Sequence, residues 1–276
     1  MKIIKQGLYI VSTPIGNLND ITLRALEVLK NSDIILCEDT RRSLKLLNHF
    51  NIKKKLISYH KFNERKKLDN IIEYLNEGKI LSLISDAGTP TLSDPGQLLI
   101  KECITKKIEI FPIPGASSIT AAMSISGFDN RFIFYGFLPK TEKDLEKELS
   151  KLKDLENSLV FFISGIKINF YLKKLKIFFA GREILLAREI TKMHETFYRD
   201  EIDKLPLFKS SLKGEITVVI SKKINKNVQI NDIEIKMQAQ KYLKKYSLKD
   251  VVELISKKEK ISKKKIYEIC LKIKNK

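Results

Sequence analysis

A chain of 276 residues, 43% apolar and 31% charged, has the makeup of a globular protein with room for one or two hydrophobic cores. No run approaches the roughly 18 apolar residues of a membrane span, and Leu8–Val11, followed by Pro14 and Gly16, is too short for a signal-peptide core. The formal charge of +19 favours a polyanionic partner such as nucleic acid, but 44 of the 52 basic residues are lysine, a skew that an AT-rich genome imposes on any surface.

Strand-like runs alternate with helical patterns through the first half. Leu8–Val11 reads as a strand, Thr22–Lys30 as a helix with Leu23, Leu26 and Leu29 on one face, and Ile34–Cys37 as a second strand. Strand, helix, strand is the pattern of a parallel crossover. Thr40 is the expected cap of a helix carrying Leu44, Leu46, Leu47 and Phe50, and after Leu56–Tyr59 a helix is expected over Glu64–Asn76, stopped by Gly78. Ile80–Ile84 reads as a strand, Gln97–Thr105 as a helix and Ile108–Phe111 as a strand. Continuously apolar strands imply helices on both faces, so residues 1–114 are expected to form an α/β domain with a parallel sheet.

Residues 115–222 differ. A small-residue helix over Ala116–Ser126 precedes strands at Arg131–Phe137, Ser158–Ile163, Glu183–Glu189, His194–Arg199 and Glu215–Ser221. Glu189 and His194 are too close for an intervening helix, so a hairpin and a mixed sheet are expected in this second α/β domain. Residues 223–276 open with a loop rich in Lys and Asn and then suit two or three amphipathic helices; from Lys222 onward there are 17 lysines and 6 acids. Such a basic helical extension is either a docking module or a packed cap with solvated lysines.

Three loops punctuated by Gly and Pro, Ser12–Leu18, Ser85–Pro90 and Pro112–Ser118, each follow a strand-like run, so they are expected along one rim of the sheet, where α/β proteins bind ligands. The first lacks G-x-G-x-x-G and the second lacks the phosphate-binding lysine of a P-loop, which disfavours dinucleotides and nucleoside triphosphates. Asp86 either holds a ligand amine or hydroxyl or stabilises its own loop. Ser117 and Ser118 either meet a ligand carboxylate or simply cap a helix. On the same rim, Glu38-Asp39-Thr40-Arg41-Arg42 offers either an ion-pair network or a gripping Arg41 beside a basic carboxylate, Glu38 or Asp39. Tyr59, His60, Asn63 and Glu64 suit either an ordinary surface loop or a nucleobase contact. Cys37, Cys103, Cys270 and the three histidines show no metal-ligand or C-x-x-C spacing, so no metal and no disulfide are expected and a reducing cytoplasm fits.

Taken in register, Leu8–Leu18, Asp20-Ile21-Thr22, Arg24-Ala25-Leu26, Glu38–Arg41, Tyr59-His60 with Asn63-Glu64, Ser85–Pro90 with Asp94-Pro95-Gly96, and Tyr135–Pro139 resemble the cytidine 2'-O-methyltransferases of small-subunit ribosomal RNA, within the tetrapyrrole methylase superfamily. The similarity runs from about Leu8 to Ser221, and the tail is similar to the helical extension of those enzymes. The resemblance implies S-adenosylmethionine bound between two α/β domains by Ile15, Asp86, Thr89, Ser118 and Ile119. It further implies a homodimer in the cytoplasm, without membrane attachment, that methylates a ribose in the decoding region of 16S rRNA or of the small ribosomal subunit. Candidates for removing the hydroxyl proton are Glu38, Asp39 and His60, with Glu189 and Lys192 also considered, and the substrate-binding candidates are Arg24, Arg41, Tyr59, Asn63, Glu64 and Lys192. The chain departs from the family pattern at Phe162–Lys167, where a Tyr-Glu-Ser-x-His-Arg stretch is usual. That departure motivates an alternative, a catalytically weakened RNA-binding protein of ribosome assembly; methylation of a small tetrapyrrole is a third reading.

Overall fold

The computed structural model describes residues 4–223, 232–259 and 261–274. Its contacts divide the chain into two compact units, Met1–Lys223 and Ile224–Lys276.

The first unit holds two five-stranded sheets. Strands β1 (Gly7–Val11), β2 (Ile34–Cys37), β3 (Lys55–Ser58), β4 (Ile80–Ile84) and β5 (Ile110–Ile113) pair in the order β3-β2-β4-β1-β5, all parallel. Alternation along β1 sends Leu8 to one face and Tyr9 and Val11 to the other. Leu8 packs with Ile71 and Leu75 of α3 (Glu64–Asn76) and with Leu99 and Cys103 of α4 (Gln97–Thr105). Tyr9 and Val11 pack with Val28 and Leu29 of α1 (Leu23–Asn31) and Leu47 of α2 (Thr40–His49). The result is the expected three-layer arrangement, with strand ends that all open on one rim.

The second sheet orders β6 (Phe132–Phe137), β7 (Ser158–Ser164), β10 (Glu215–Ile220), β8 (Glu183–Arg188) and β9 (Thr196–Glu201) as β6-β7-β10-β8-β9. Only β6 and β7 are parallel, so the sheet is mixed as its spacing predicts, and β8 and β9 form the hairpin. One face packs on α6 (Glu142–Leu152) and α7 (Ile168–Phe178), neither of which was expected; the other packs on α5 (Ser118–Ser124) through Ile119 and Ala122. The boundary read at Gly115 falls between the two sheets, inside the first unit.

Some local expectations shift. Asp39, rather than Thr40, caps α2, its carboxylate accepting the Arg41 N–H at 2.9 Å; an aspartate caps a helix better than a threonine does. Strand β5 runs two residues later than Ile108–Phe111 and takes Pro112 into the sheet, which an edge strand tolerates. Helix α5 is shorter than Ala116–Ser126, and β9 begins at Thr196.

In the second unit, α8 (Asp232–Leu243), α9 (Leu248–Glu259) and α10 (Lys263–Lys274) bury Ile235, Val251, Ile255, Ile266 and Cys270 against one another. Of the two or three helices expected in the tail, the described residues form three; its Lys/Asn-rich opening, 224–231, lies outside the described residues. Among the described residues no helix is long and apolar enough to cross a membrane.

Leu175 of α7 is completely buried under the second sheet. Leu175→Ala is expected to cost about 2–5 kcal/mol, read as a lower midpoint in urea unfolding followed by circular dichroism.

Candidate active site

The three small-residue loops are bolted to one another. Thr13 and Gly88 exchange backbone hydrogen bonds, at 2.9 and 3.0 Å, in an isolated antiparallel bridge between the loops after β1 and β4. The Thr13 hydroxyl donates to the Ser85 carbonyl at 3.2 Å, Ser12 Oγ lies 3.0 Å from Thr89 Oγ1, and the Thr89 hydroxyl reaches the Ala116 carbonyl of the third loop at 3.3 Å. Buried polar groups are thus satisfied by the neighbouring loop, which fixes the rim as one rigid piece.

Beside this rim lies a cavity of about 600 Å³, walled by the loops of the first sheet and by the ends of β6, β7, β8 and β10 of the second. That volume suits a small organic ligand. Ile15, Glu38, Asp86, Thr89, Ser117, Ser118, Ile119, Glu189 and Lys192, nine of the residues singled out in the sequence, line it together. Two lining loops hold non-glycine residues in the left-handed region, Thr91 and Ser93 on one side and Glu189 and Thr191 on the other, each at a cost of about 1–2 kcal/mol. Strain of this kind persists where the surrounding structure over-determines the backbone, as at ligand sites.

The lining is acidic. Glu38, Asp86, Asp94, Glu189 and Glu215 face Arg42 and Lys192 alone, five carboxylates against two cations. Both cations are already paired, Arg42 with Asp86 at 3.2 Å and Lys192 with Glu189 at 3.0 Å. Asp86 also accepts the Asp39 N–H at 3.1 Å, so it joins the end of β4 to the start of α2. Burial, reinforced by the neighbouring Glu38 charge, pushes the Asp94 carboxyl up to about 6, and burial followed by the Asp86 charge raises Glu38. A cavity in a protein of charge +19 that keeps excess negative charge inside is built for a cationic guest.

The other expected residues lie elsewhere. Asp39 is outside the lining, and its bonds to Arg41 hold its carboxyl well below the usual range, which makes it a weak base. His60 sits further along the rim, its Nδ1 accepting the Phe62 N–H. Tyr59 is completely buried in the first core, so it packs and offers no face for a base to stack on. Asn63 spends its amide within the turn, accepting the His60 N–H and donating to the Ser58 carbonyl. Glu64 begins α3, Arg24 is exposed on α1, and Arg41 is exposed and paired with Asp39. Asp94, Arg42 and Glu215 were not among the candidates. Asp94 opens Asp94-Pro95-Gly96, and a carboxyl paired with Pro-Gly after a strand loop is its only signal in the sequence.

Residues 7–206 match the model of the family described as Tetrapyrrole (Corrin/Porphyrin) Methylases. The chain belongs to this family. Within it, the chain is 48% identical over 227 residues to a protein named ribosomal RNA small subunit methyltransferase I from Mesomycoplasma conjunctivae, covering 82% of this chain and 95% of that one. It is 43% identical over 277 residues to the protein of the same name from Rickettsia prowazekii, covering 97% of each. Solved structures share the fold. Diphthine synthase superposes with a TM-score of 0.61 at 16% identity, over 78% of this chain and 89% of that one. A uroporphyrin-III C-methyltransferase from Thermus thermophilus, complexed with S-adenosyl homocysteine, does so with a TM-score of 0.56 at 15% identity, over 78% and 97%.

A Cβ on Gly16 would lie 2.3 Å from Lys192 Cγ and 3.0 Å from the Ile190 carbonyl, where the first loop crosses to the strained loop after β8. Gly16→Val is therefore expected to part these loops while leaving both cores intact. Calorimetric titration with S-adenosylmethionine checks this, with affinity falling tenfold or more at a nearly unchanged melting temperature.

Proposed function

We propose that this methylase transfers the methyl group of S-adenosylmethionine to the ribose 2'-hydroxyl of a cytidine in the decoding region of 16S rRNA. The observation that carries the reading is the acidic cavity in a chain of charge +19 whose relatives are named as ribosomal RNA methyltransferases. S-adenosylmethionine bears a sulfonium and an ammonium against one carboxylate, so its net positive charge complements five carboxylates. When bound it supplies an already activated methyl group. Ile15, Thr89 and Ile119 give apolar and small walls, and Asp86, held by Asp39 and Arg42, offers a fixed acceptor for a ligand amine or hydroxyl.

The chain's own task is to align the ribose oxygen and take its proton. Asp94, with its raised carboxyl, is the stronger base on the cavity wall, and Glu38 beside it is the second candidate. The same excess of negative charge repels phosphate. The RNA backbone is therefore held outside, on basic surface, while a single ribose enters. We infer a cytoplasmic homodimer as the working form, with the assembled small subunit or its rRNA as substrate.

The direct test incubates the protein with methyl-labelled S-adenosylmethionine and small ribosomal subunits from a strain lacking the modification. Label in 16S rRNA at a cytidine 2'-oxygen is the expected outcome; bound cofactor without labelled RNA would refute the reading.

Asp94 acts as a base only when ionised, so kcat/KM is expected to fall about tenfold per pH unit below 6. Asp94→Asn should lower kcat a hundredfold or more and abolish that limb of the profile. Because its folded value stands above the unfolded one, the ionised carboxylate destabilises the fold above pH 6 and has no effect below about pH 4. Asp94→Asn is thus also expected to raise the melting temperature at pH 8 and leave it unchanged at pH 4.

Asp86→Ala removes the acceptor for the Asp39 N–H and the partner of Arg42. Its expected effect is a loss of S-adenosylmethionine affinity of about tenfold or more, measured by equilibrium binding.

A further inference from the structure

Strand β2 and strand β3 run parallel with Cys37 opposite Ser58, and the Tyr59 N–H donates to the Cys37 carbonyl at 2.7 Å. The chain therefore leaves the two strands side by side, as Glu38 into the cavity wall and as His60 onto the rim beyond it. His60 is near enough to Glu38 for its charge to act on that carboxyl. Two residues on, Phe62 is 94% exposed, touching the His60 ring edge-on with centroids 6.0 Å apart. Single exposed hydrophobic residues are common, but this one stands on a braced turn. Its own N–H is held by His60 Nδ1, and the turn beneath it is pinned by Asn63 to the His60 N–H and by both Asn63 and Lys67 to the Ser58 carbonyl, at 2.8–3.1 Å.

The surroundings are cationic. Lys61, Arg65 and Lys66 are exposed around the turn, and at the start of α2 Arg41 and Arg42, though paired with Asp39 and Asp86, have side chains 86% and 68% exposed. An exposed aromatic face carried on a braced turn among such cations has the chemistry of a single-stranded nucleic-acid platform, since stacking tolerates any base and the cations meet the phosphates. We infer that Phe62 stacks on an unpaired base of the RNA next to the nucleotide whose ribose enters the cavity, and so sets which nucleotide is presented. This inference rests on the proposed RNA methylation and assigns the part of the substrate that lies outside the cavity.

The test compares the full-length protein with Phe62→Ala and Phe62→Trp. In the methylation assay Phe62→Ala is expected to raise KM for unmethylated small subunits about tenfold, within the worth of one stacked base, with kcat and S-adenosylmethionine affinity nearly unchanged. Phe62→Trp, with a larger face, should hold or lower KM. A short single-stranded RNA containing 2-aminopurine should lose fluorescence on binding the wild type and keep it with Phe62→Ala. Wild-type methylation with an unchanged KM in Phe62→Ala overturns the inference while leaving the methylation reading intact. Absence of methylation by the wild type refutes that reading, and the fluorescence comparison then still decides whether Phe62 stacks on RNA. A changed oligomeric state in Phe62→Ala, with RNA affinity untouched, also overturns it by making the ring a subunit contact.

Discussion

The two backbone hydrogen bonds between Thr13 and Gly88 hold the site together. Parallel strands β1 and β4 end side by side, and without a link their loops would be separate and mobile. The bridge makes them one, and the Ser12–Thr89–Ala116 chain of hydroxyl contacts extends it to the third loop. Ile15, Asp86 and Thr89 line the cavity from this unit, and Asp86 ties Glu38 and Arg42 to it through the Asp39 N–H and the Arg42 side chain. The pocket is consequently organised before any ligand arrives, which lowers the ordering cost of binding.

Charge then divides the labour. The chain as a whole is strongly basic, yet the cavity collects five carboxylates and pairs its two cations internally. Such a distribution favours a cationic small molecule over an anionic one inside the cavity. It also explains why Asp94 and Glu38 are reluctant to ionise. Each is partly withdrawn from water beside a like charge, Asp94 beside Glu38 and Glu38 beside Asp86, so the same excess of carboxylates that suits a cation also raises both carboxyls.

Much of this was legible in the sequence because it is local. Strand runs, small-residue loops and the helix over Glu64–Asn76 are encoded within a few residues, and the rim location follows from parallel topology. The less legible parts depend on contacts between distant segments. Tyr59 is of a residue type that suits a nucleobase contact, yet it is buried in the core, whereas Phe62, which no motif singles out, is raised on the turn. Glu215 and Glu189 reach the cavity only because β10 pairs with β7 and β8, an antiparallel register that no sequence interval announces. Helices α6 and α7 escaped notice although their apolar residues, Leu145, Leu149, Leu172 and Leu175, recur at helical spacing.

The segment in which this chain departs from its family pattern bears on whether the cavity could be impaired. Ile163 faces the apolar core of the second sheet, and Ile166 and Lys167 border a separate shallow depression of about 300 Å³. Gly165 lies where an added Cβ would meet the Leu212 and Gly214 carbonyls at 2.6 and 2.9 Å, so backbone occupies the space a side chain would need. Only Phe162 of this segment reaches the cavity, where it packs against Phe137 with ring centroids 5.2 Å apart. The missing acid and histidine therefore correspond to positions that point away from the carboxylate-lined space. Beyond Phe162, the changes in this segment fall on the core and on an outer face, outside the lining of the carboxylate-rich cavity.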